Sequence, residues 1–298
     1  MAINLYVYVA ALPMVGFADQ TYRITYREVE NSSSIETIRH PVIREVLRDE
    51  NYTDPLNIAI LSDVPGGTGL GSSSAFTVGF IKLIKALKGT EISRFNLAKQ
   101  AIFTERELLQ EHGGVQDQLH AAMGGLSRYS FFQDSYSVTP VSINQSVYGE
   151  LNKSIYLIYT GKSRHASNVL TEQITKTKEK KIVKELSHLN SLVDQGMSVF
   201  QMEDAETMLI ELGAMLNEAW RTKRSISSSI STPRIDEMFE KTAELGAYGA
   251  KLCGAGGGGF MMVLASPDRL PLFQETFGPE NVYRVNVDEE GSRISTRF

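Results

Sequence analysis

Residues 61–75 read LSDVPGGTGLGSSSA, a stretch that interrupts the surrounding apolar periodicity with turn-forming residues and then runs into three serines. Downstream of it Val78, Ile81, Ile84 and Leu87 recur at every third position, Lys82, Lys85 and Lys88 take another face, and Gly89 supplies a stop. The spacing predicts a loop feeding an amphipathic helix that begins near Ser72. The first turn of such a helix carries unpaired N–H donors and the positive end of the helix dipole, and glycines before it let phosphate oxygens approach the backbone. A plain turn needs one glycine. Here Pro65, Gly66, Gly67, Thr68, Gly69, Leu70 and Gly71 lead into Ser72, Ser73 and Ser74, so a phosphate cradle is the stronger reading. It is not a Walker loop, which needs a lysine after its last glycine, where this chain has Ser72.

A length of 298 residues suggests about two domains, and the 42% hydrophobic and 22% charged content is that of an ordinary globular chain. The net charge of −5, with basic residues scattered except over 176–184, argues against a nucleic-acid partner. Cys253 is the single cysteine, which forbids an intramolecular disulfide and agrees with a reducing cytoplasm. The apolar run over 5–18 raises the question of a leader. No Lys or Arg precedes it, and Ile3, Leu5, Val7 and Val9 alternate with Asn4, Tyr6 and Tyr8, which is a strand period. No segment reaches the ~20 apolar residues of a membrane helix, so a cytoplasmic protein with no membrane partner is expected.

A first strand over 3–9 and a second over 21–27 read as antiparallel neighbours, followed by a polar turn at 31–34, a helix over 41–49 and a strand over 56–61. Strands come before and beside helices without strict alternation, which argues α+β. Ser93 caps a helix over 94–111 that carries Leu97, Ala101, Leu108 and Leu109 inward. Strands follow over 128–132 and 135–141, and 142–151 is polar enough to be the crossing between a domain over 1–148 and another over 149–298. A strand over 155–160, helices over 183–219 and up to Leu245, and a β-like run over 260–264 complete the second domain.

Three further groups have chemical potential. Glu105 is followed by Arg106 and Glu107, and these charged neighbours suggest a solvent face, but it is one i+4 step from Ala101 and one i+3 step from Leu108, which turns it inward. An inward carboxylate asks for a partner, and a hard divalent cation is one candidate. Asp117 opens another helix after Gly113 and Gly114; alone, it is a dipole-favoured helix-start residue. Lys162 and Arg164 follow the 155–160 strand, either as surface charges or as a second anion site at a helix start. Gly254, Gly256 and Gly259 satisfy G-x-G-x-x-G, but a dinucleotide loop must open a helix, and a short β-like run closed by Pro267 follows instead.

Pro65, Gly69, Leu70, Gly71, Ser72 and Ser73 fill P-x-x-x-G-L-G-S-S-A, the second motif of the GHMP kinases, with Ser74 inserted before Ala75. Asp117 stands in a G-x-x-D-Q context twelve residues after Glu105, a spacing that resembles the catalytic Asp and metal-binding Glu of galactokinase-like members. The glycine-rich stretch over 254–259 resembles the third motif, and the strings over 160–167 and 216–260 look like the heptose kinase subgroup. The resemblance spans nearly the whole chain. It implies a ribosomal-protein-S5-like N-terminal domain, a ferredoxin-like C-terminal domain and ATP-dependent phosphorylation, with Mg²⁺, of a sugar or sugar phosphate, foremost the anomeric hydroxyl of a heptose 7-phosphate. Ser73 and Glu105 would then hold the metal, Asp117 would act on the sugar hydroxyl, Gly256 and Gly257 would help close the nucleotide site, and Lys162 and Arg164 would grip the substrate phosphate. Family members begin with a strand and a G-G-G-T-D segment that have no counterpart here, so one strand and part of the sugar site are expected to be missing. A fucose or galactose kinase, or a nucleotide-binding protein with little activity, are the alternatives; a homo-oligomer is left open.

Overall fold

The computed structural model describes residues 1–14, 21–111, 113–132, 135–161 and 167–295, the side chains of 167–170 excepted. Two compact units emerge: one takes Met1–Gly66, Gly71–Gly125 and Asp288–Phe298, and the other takes Gly67–Leu70 and Leu126–Val287.

The first unit contains β1 (Val7–Pro13), β2 (Tyr22–Thr25), β3 (Val29–Ser32), α1 (Pro41–Asp49), β4 (Leu56–Ser62), α2 (Ser72–Leu87), α3 (Arg94–Phe103) and α4 (Gln116–Met123). Its sheet has the order β1-β4-β2-β3. The two early strands are therefore not neighbours, because β4 lies between them, antiparallel to β1 and parallel to β2. Burial explains the placement: Leu56 and Ile58 are fully buried, so β4 belongs in the middle and the hairpin β2–β3 beside it. β1 also starts later than the alternation from Ile3 suggests. The Asp63 carboxylate accepts the Tyr6 N–H at 2.8 Å and the Tyr6 carbonyl accepts from Asp63 N–H, which ends the ladder at Val7↔Ser62. The polar turn expected at 31–34 is in part strand, since β3 runs through Ser32. Val78, Phe80, Ile81 and Ile84 of α2 pack inward with Ile43, Leu47, Leu97 and Ala101, all essentially inaccessible to solvent.

The second unit contains β5 (Ser127–Phe131), β6 (Tyr136–Pro140), α5 (Gln145–Ser154), β7 (Ile155–Tyr159), α6 (Ser167–Lys178), α7 (Val183–Val199), α8 (Ala205–Ile226), α9 (Pro233–Glu244), β8 (Gly249–Leu252), β9 (Phe260–Leu264), α10 (Leu270–Phe277) and β10 (Val282–Arg284). The main sheet has the order β10-β7-β9-β8, antiparallel throughout. From β7 onward this is the βαββαβ course of a ferredoxin-like domain, and with the first unit it makes the chain α+β. Tyr156, Ile158, Trp220, Ile230, Leu252, Met261 and Phe273 form its core. The crossing expected over 142–151 is a helix instead: the Asn144 side chain caps it at Ser146 N–H, and Val147 and Leu151, one i+4 step apart, are buried. Arg128 pairs with Asp194 at 2.7 Å and Gln201 donates to the Ser142 carbonyl, so the hairpin β5–β6 packs with this unit, which begins at Leu126 rather than near residue 148. Among the described residues no helix is long and apolar enough to cross a membrane.

Candidate active site

In the first unit Gly71 is the N-cap of α2, at φ 72°, and Ala75 N–H is the first donor to close a helical bond, onto the Gly71 carbonyl at 2.9 Å. The donors ahead of Ala75 are those a helix leaves free for an anion. Ser73 is exposed on this turn while Ser74 points into the protein. The left-handed φ of Gly71 favours glycine, and a Cβ there would lie 3.1 Å from Cγ of Asp117 and push the carboxylate aside. Asp117, in the first turn of α4, is thereby brought against the mouth of α2. Its surface is exposed, yet it is hemmed in closely enough that desolvation raises its pKa, against a hydrogen bond from Gln116 and the N-terminal ammonium, which lower it.

Glu105 does face inward, with 5% of its surface accessible. It lies in a π-helical turn, Thr104–Leu108, that continues α3 and buries Thr104 and Glu105 together. Such single wide turns recur at functional sites. One carboxylate oxygen, Oε2, accepts from the Ser74 hydroxyl at 3.0 Å and from the Gln118 amide. The other, Oε1, is buried with no hydrogen-bond partner, as is the Gln118 Oε1. Desolvation raises the Glu105 pKa, and the polar side chains of Thr77, Gln118 and Ser74 around it work the other way. A buried, unpartnered carboxylate oxygen is a chemically suitable ligand for a hard cation. Among the described residues no three His, Cys, Asp or Glu side chains converge, so a cation there would draw its remaining ligands from substrate oxygens and water. Ser74, expected in the phosphate cradle, is buried and spends its hydroxyl on Glu105 instead, because it lies on the inner face of the first turn of α2; Gln118, the Q of the D-Q pair, has no role assigned from sequence.

In the second unit the loop Gly67–Leu70 is backed by the glycine-rich stretch between β8 and β9. Thr68 is fully buried, and its carbonyl accepts the Phe260 N–H at 3.0 Å. Gly69 packs on the Cys253 carbonyl, and a Cβ on Gly254 would lie 2.6 Å from the Gly69 Cα. Nothing lies within 4 Å of the Cβ position of Gly67, whose φ is 77°. The glycines that touch this loop are Gly69's partner Gly254 and Gly259, which packs on Thr68. Gly256 packs instead on Ile230, and Gly257 donates its N–H to the Ile230 carbonyl at 2.8 Å. Lys162 and Arg164 lie outside the described residues.

The family model for the GHMP kinases N terminal domain matches residues 37–125, which hold the phosphate loop, Glu105 and Asp117. The model for the GHMP kinases C terminal matches residues 205–283, from α8 into β10. The D-glycero-alpha-D-manno-heptose 7-phosphate kinase of Campylobacter jejuni is 30% identical over 72% of this chain and 63% of its own length. A bifunctional fucokinase/GDP-fucose pyrophosphorylase of Arabidopsis thaliana is 28% identical over 72% of this chain and 21% of its own. The mevalonate kinase of Pyrococcus abyssi is 29% identical over 76% and 64%. The chain thus spans less than two thirds of the length of each of these relatives. Among solved structures, a D-glycero-D-manno-heptose 1-phosphate kinase from Bacteroides thetaiotaomicron shares the fold at a TM-score of 0.71, with 20% identity over 99% of this chain and 89% of that one. A mevalonate kinase does so at 0.74, with 19% identity over 97% and 92%. With the two models together taking in more than half of the residues, the chain belongs to the GHMP kinase family.

Proposed function

We propose that this chain transfers a phosphoryl group from ATP to a hydroxyl of a small sugar, most favourably the anomeric hydroxyl of a heptose 7-phosphate. The observation that carries the reading is the Asp117 carboxylate set against Gly71, the residue from which α2 starts. In phosphoryl transfer the protein has little covalent work and must position reactants and neutralise charge. The segment 66–74 supplies backbone donors for the phosphates. Asp117 orients the attacking hydroxyl and takes its proton, a task for which a pKa raised toward the working pH is favourable. Glu105 and Ser73 would supply oxygens to Mg²⁺, with Ser74 and Gln118 holding the Glu105 carboxylate in place. Mg²⁺ there would offset negative charge on the phosphates. Lys162 and Arg164 are the proposed grip on the phosphate that the substrate already carries. A single cysteine suits a reducing compartment, and the cytoplasm is the proposed location.

The fucokinase relative favours a second reading, an unphosphorylated sugar as acceptor. Initial rates with ATP and, in turn, heptose 7-phosphate, L-fucose and galactose separate the two. We expect kcat/KM to be highest for the phosphosugar, because a charge-assisted grip is worth about 1.5–3 kcal/mol. Equal values for phosphorylated and plain sugars would move the assignment to the second reading, and no ATP consumption with any sugar would remove both.

A further inference from the structure

Lys223 is a cation that the chemistry above does not use. It lies near the end of α8, a helix laid along the outer edge of β8: a Cβ on Gly213 would strike Tyr248, and Asn217 Oδ1 accepts the Ala250 N–H at 3.0 Å. The Lys223 ammonium continues this edge by donating to the Gly254 carbonyl. Gly254, at φ 65°, is the residue packed on Gly69, so the charge stands one peptide away from the tip of the loop Gly67–Leu70.

The bond to Gly254 accounts for a donor but not for a charge. Asn217 shows that a neutral amide can satisfy this edge. The charged groups acting on Lys223 are Lys251 on β8, which repels it, and Cys253, which attracts it when ionised to the thiolate. Burial, with Lys251, pushes the Lys223 pKa down to about 8. Neighbouring cations are already matched, Arg224 with Asp236 of α9 at 2.6 Å and Lys176 with Glu172 of α6 at 2.7 Å. A half-buried ammonium beside a second ammonium is costly unless an anion completes the site. The loop it stands behind is the one whose backbone is shaped for phosphate.

Resting on the ATP-dependent reading above, we propose that Lys223 is a polyphosphate-binding residue, its ammonium set to neutralise phosphoryl oxygens held at Gly67–Leu70. Below about pH 8 the ammonium is charged and attracts the anion; above it the free protein loses the charge, so affinity for the anion falls as pH rises. The terminal phosphate, whose last proton leaves with a pKa of about 6, is almost fully ionised across the range from pH 7.5 upward and adds little to that change.

The test is the dissociation constant of ATP and of adenosine, by calorimetry between pH 7.5 and 9.5, for the parent, Lys223→Gln and Lys223→Arg. Gln keeps a donor for Gly254 without the charge, and Arg keeps the charge across the whole range. We expect parent affinity for ATP to fall through this range while that for adenosine stays level. Lys223→Gln should bind ATP about 10- to 100-fold more weakly at pH 7.5 with a flat profile, and Lys223→Arg should bind it tightly with a flat profile. A parent that binds ATP with a flat profile overturns the role of Lys223 and leaves the kinase reading standing. Equal losses of ATP and adenosine in Lys223→Gln would show a structural part only. A parent that binds no ATP overturns the kinase reading first, and this proposal with it.

Discussion

The two carboxylates of the first unit differ in what surrounds them, and that difference sets what each can do. Asp117 keeps part of its surface exposed beside Gly71 although its carboxyl is partly desolvated, so an acceptor hydroxyl can approach it from solvent. Glu105 is enclosed, one oxygen fixed by Ser74 and Gln118 and the other unpartnered. Substitution should separate them. Asp117→Asn is expected to leave nucleotide affinity nearly unchanged and to lower kcat at least ~100-fold, the scale of a lost general base. Glu105→Gln is expected to weaken ATP binding in Mg²⁺ while leaving metal-free binding alone, because it removes one of the few hard oxygens on offer. Rates and nucleotide titrations with and without Mg²⁺ check both; unchanged kcat in the first variant, or an unchanged Mg²⁺ response in the second, would reverse the roles assigned here.

Among the elements, α6 and the serine-dense loop before α9 form a clamp behind the glycine-rich stretch between β8 and β9. Glu172 accepts from Ser227 at 2.5 Å, from Ser229 at 2.9 Å and from Lys176 at 2.7 Å, and the same loop presents the Ile230 carbonyl to Gly257. These bonds lower the Glu172 pKa from its ordinary 4.5 to about 2, with Lys176 the largest cause. A depressed carboxylate pKa contributes stability above the unfolded value that is lost as pH falls through the folded one. Glu172→Gln should therefore melt below the parent at neutral pH, and the gap should narrow as pH drops beneath 4.5. A gap independent of pH in thermal melts would show that the clamp is packing rather than charge. Local patterns made much of this legible: Pro41 and Ser93 start their helices where turn and cap chemistry places them, and the 72–87 helix follows its apolar spacing. What escaped was decided by partners distant in sequence. Nothing near β1 says that β4 will lie beside it, and Leu186 and Val193, which share an apolar stripe with Leu192, are exposed while Leu192 is buried. Likewise Gln118 gains a role, and Ser74 changes from phosphate cradle to carboxylate support, only once Glu105 is turned between them.

At the scale of the whole molecule, the chain leaves the first unit at Leu126 and returns to it at Asp288. The returning segment is held to the end of α4: Gly125 N–H donates to the Asp288 carbonyl at 2.6 Å, Asp288 N–H to Ala2 at 3.0 Å, and Gly291 packs on Gly124 so closely that neither tolerates a Cβ. Lys82 of α2 donates to the Ser292 carbonyl, and Arg293 lies over the Tyr6 ring. Ending the chain at Val287 should cost the first unit about 2–3 kcal/mol, from the net worth of the bonds removed. Since α4 carries Asp117, kcat should fall more than nucleotide affinity; urea melts and steady-state rates of the shortened chain measure both, and an unchanged midpoint would show the segment to be dispensable. The second unit has its own long return, from Thr68 to the Phe260 N–H. During synthesis at about 5–20 residues per second, roughly 190 residues must be added before that partner exists, which is about 10–40 s. Through that interval the loop Gly67–Leu70 has no backing strand, so the part of the phosphate site that this loop forms is completed only after the second half of the chain has been made. Variants weakened in β9 or in the 254–259 stretch should therefore be rescued by ATP after release, by selection among finished chains, and nucleotide added while translation is under way should not change how that loop comes to be backed.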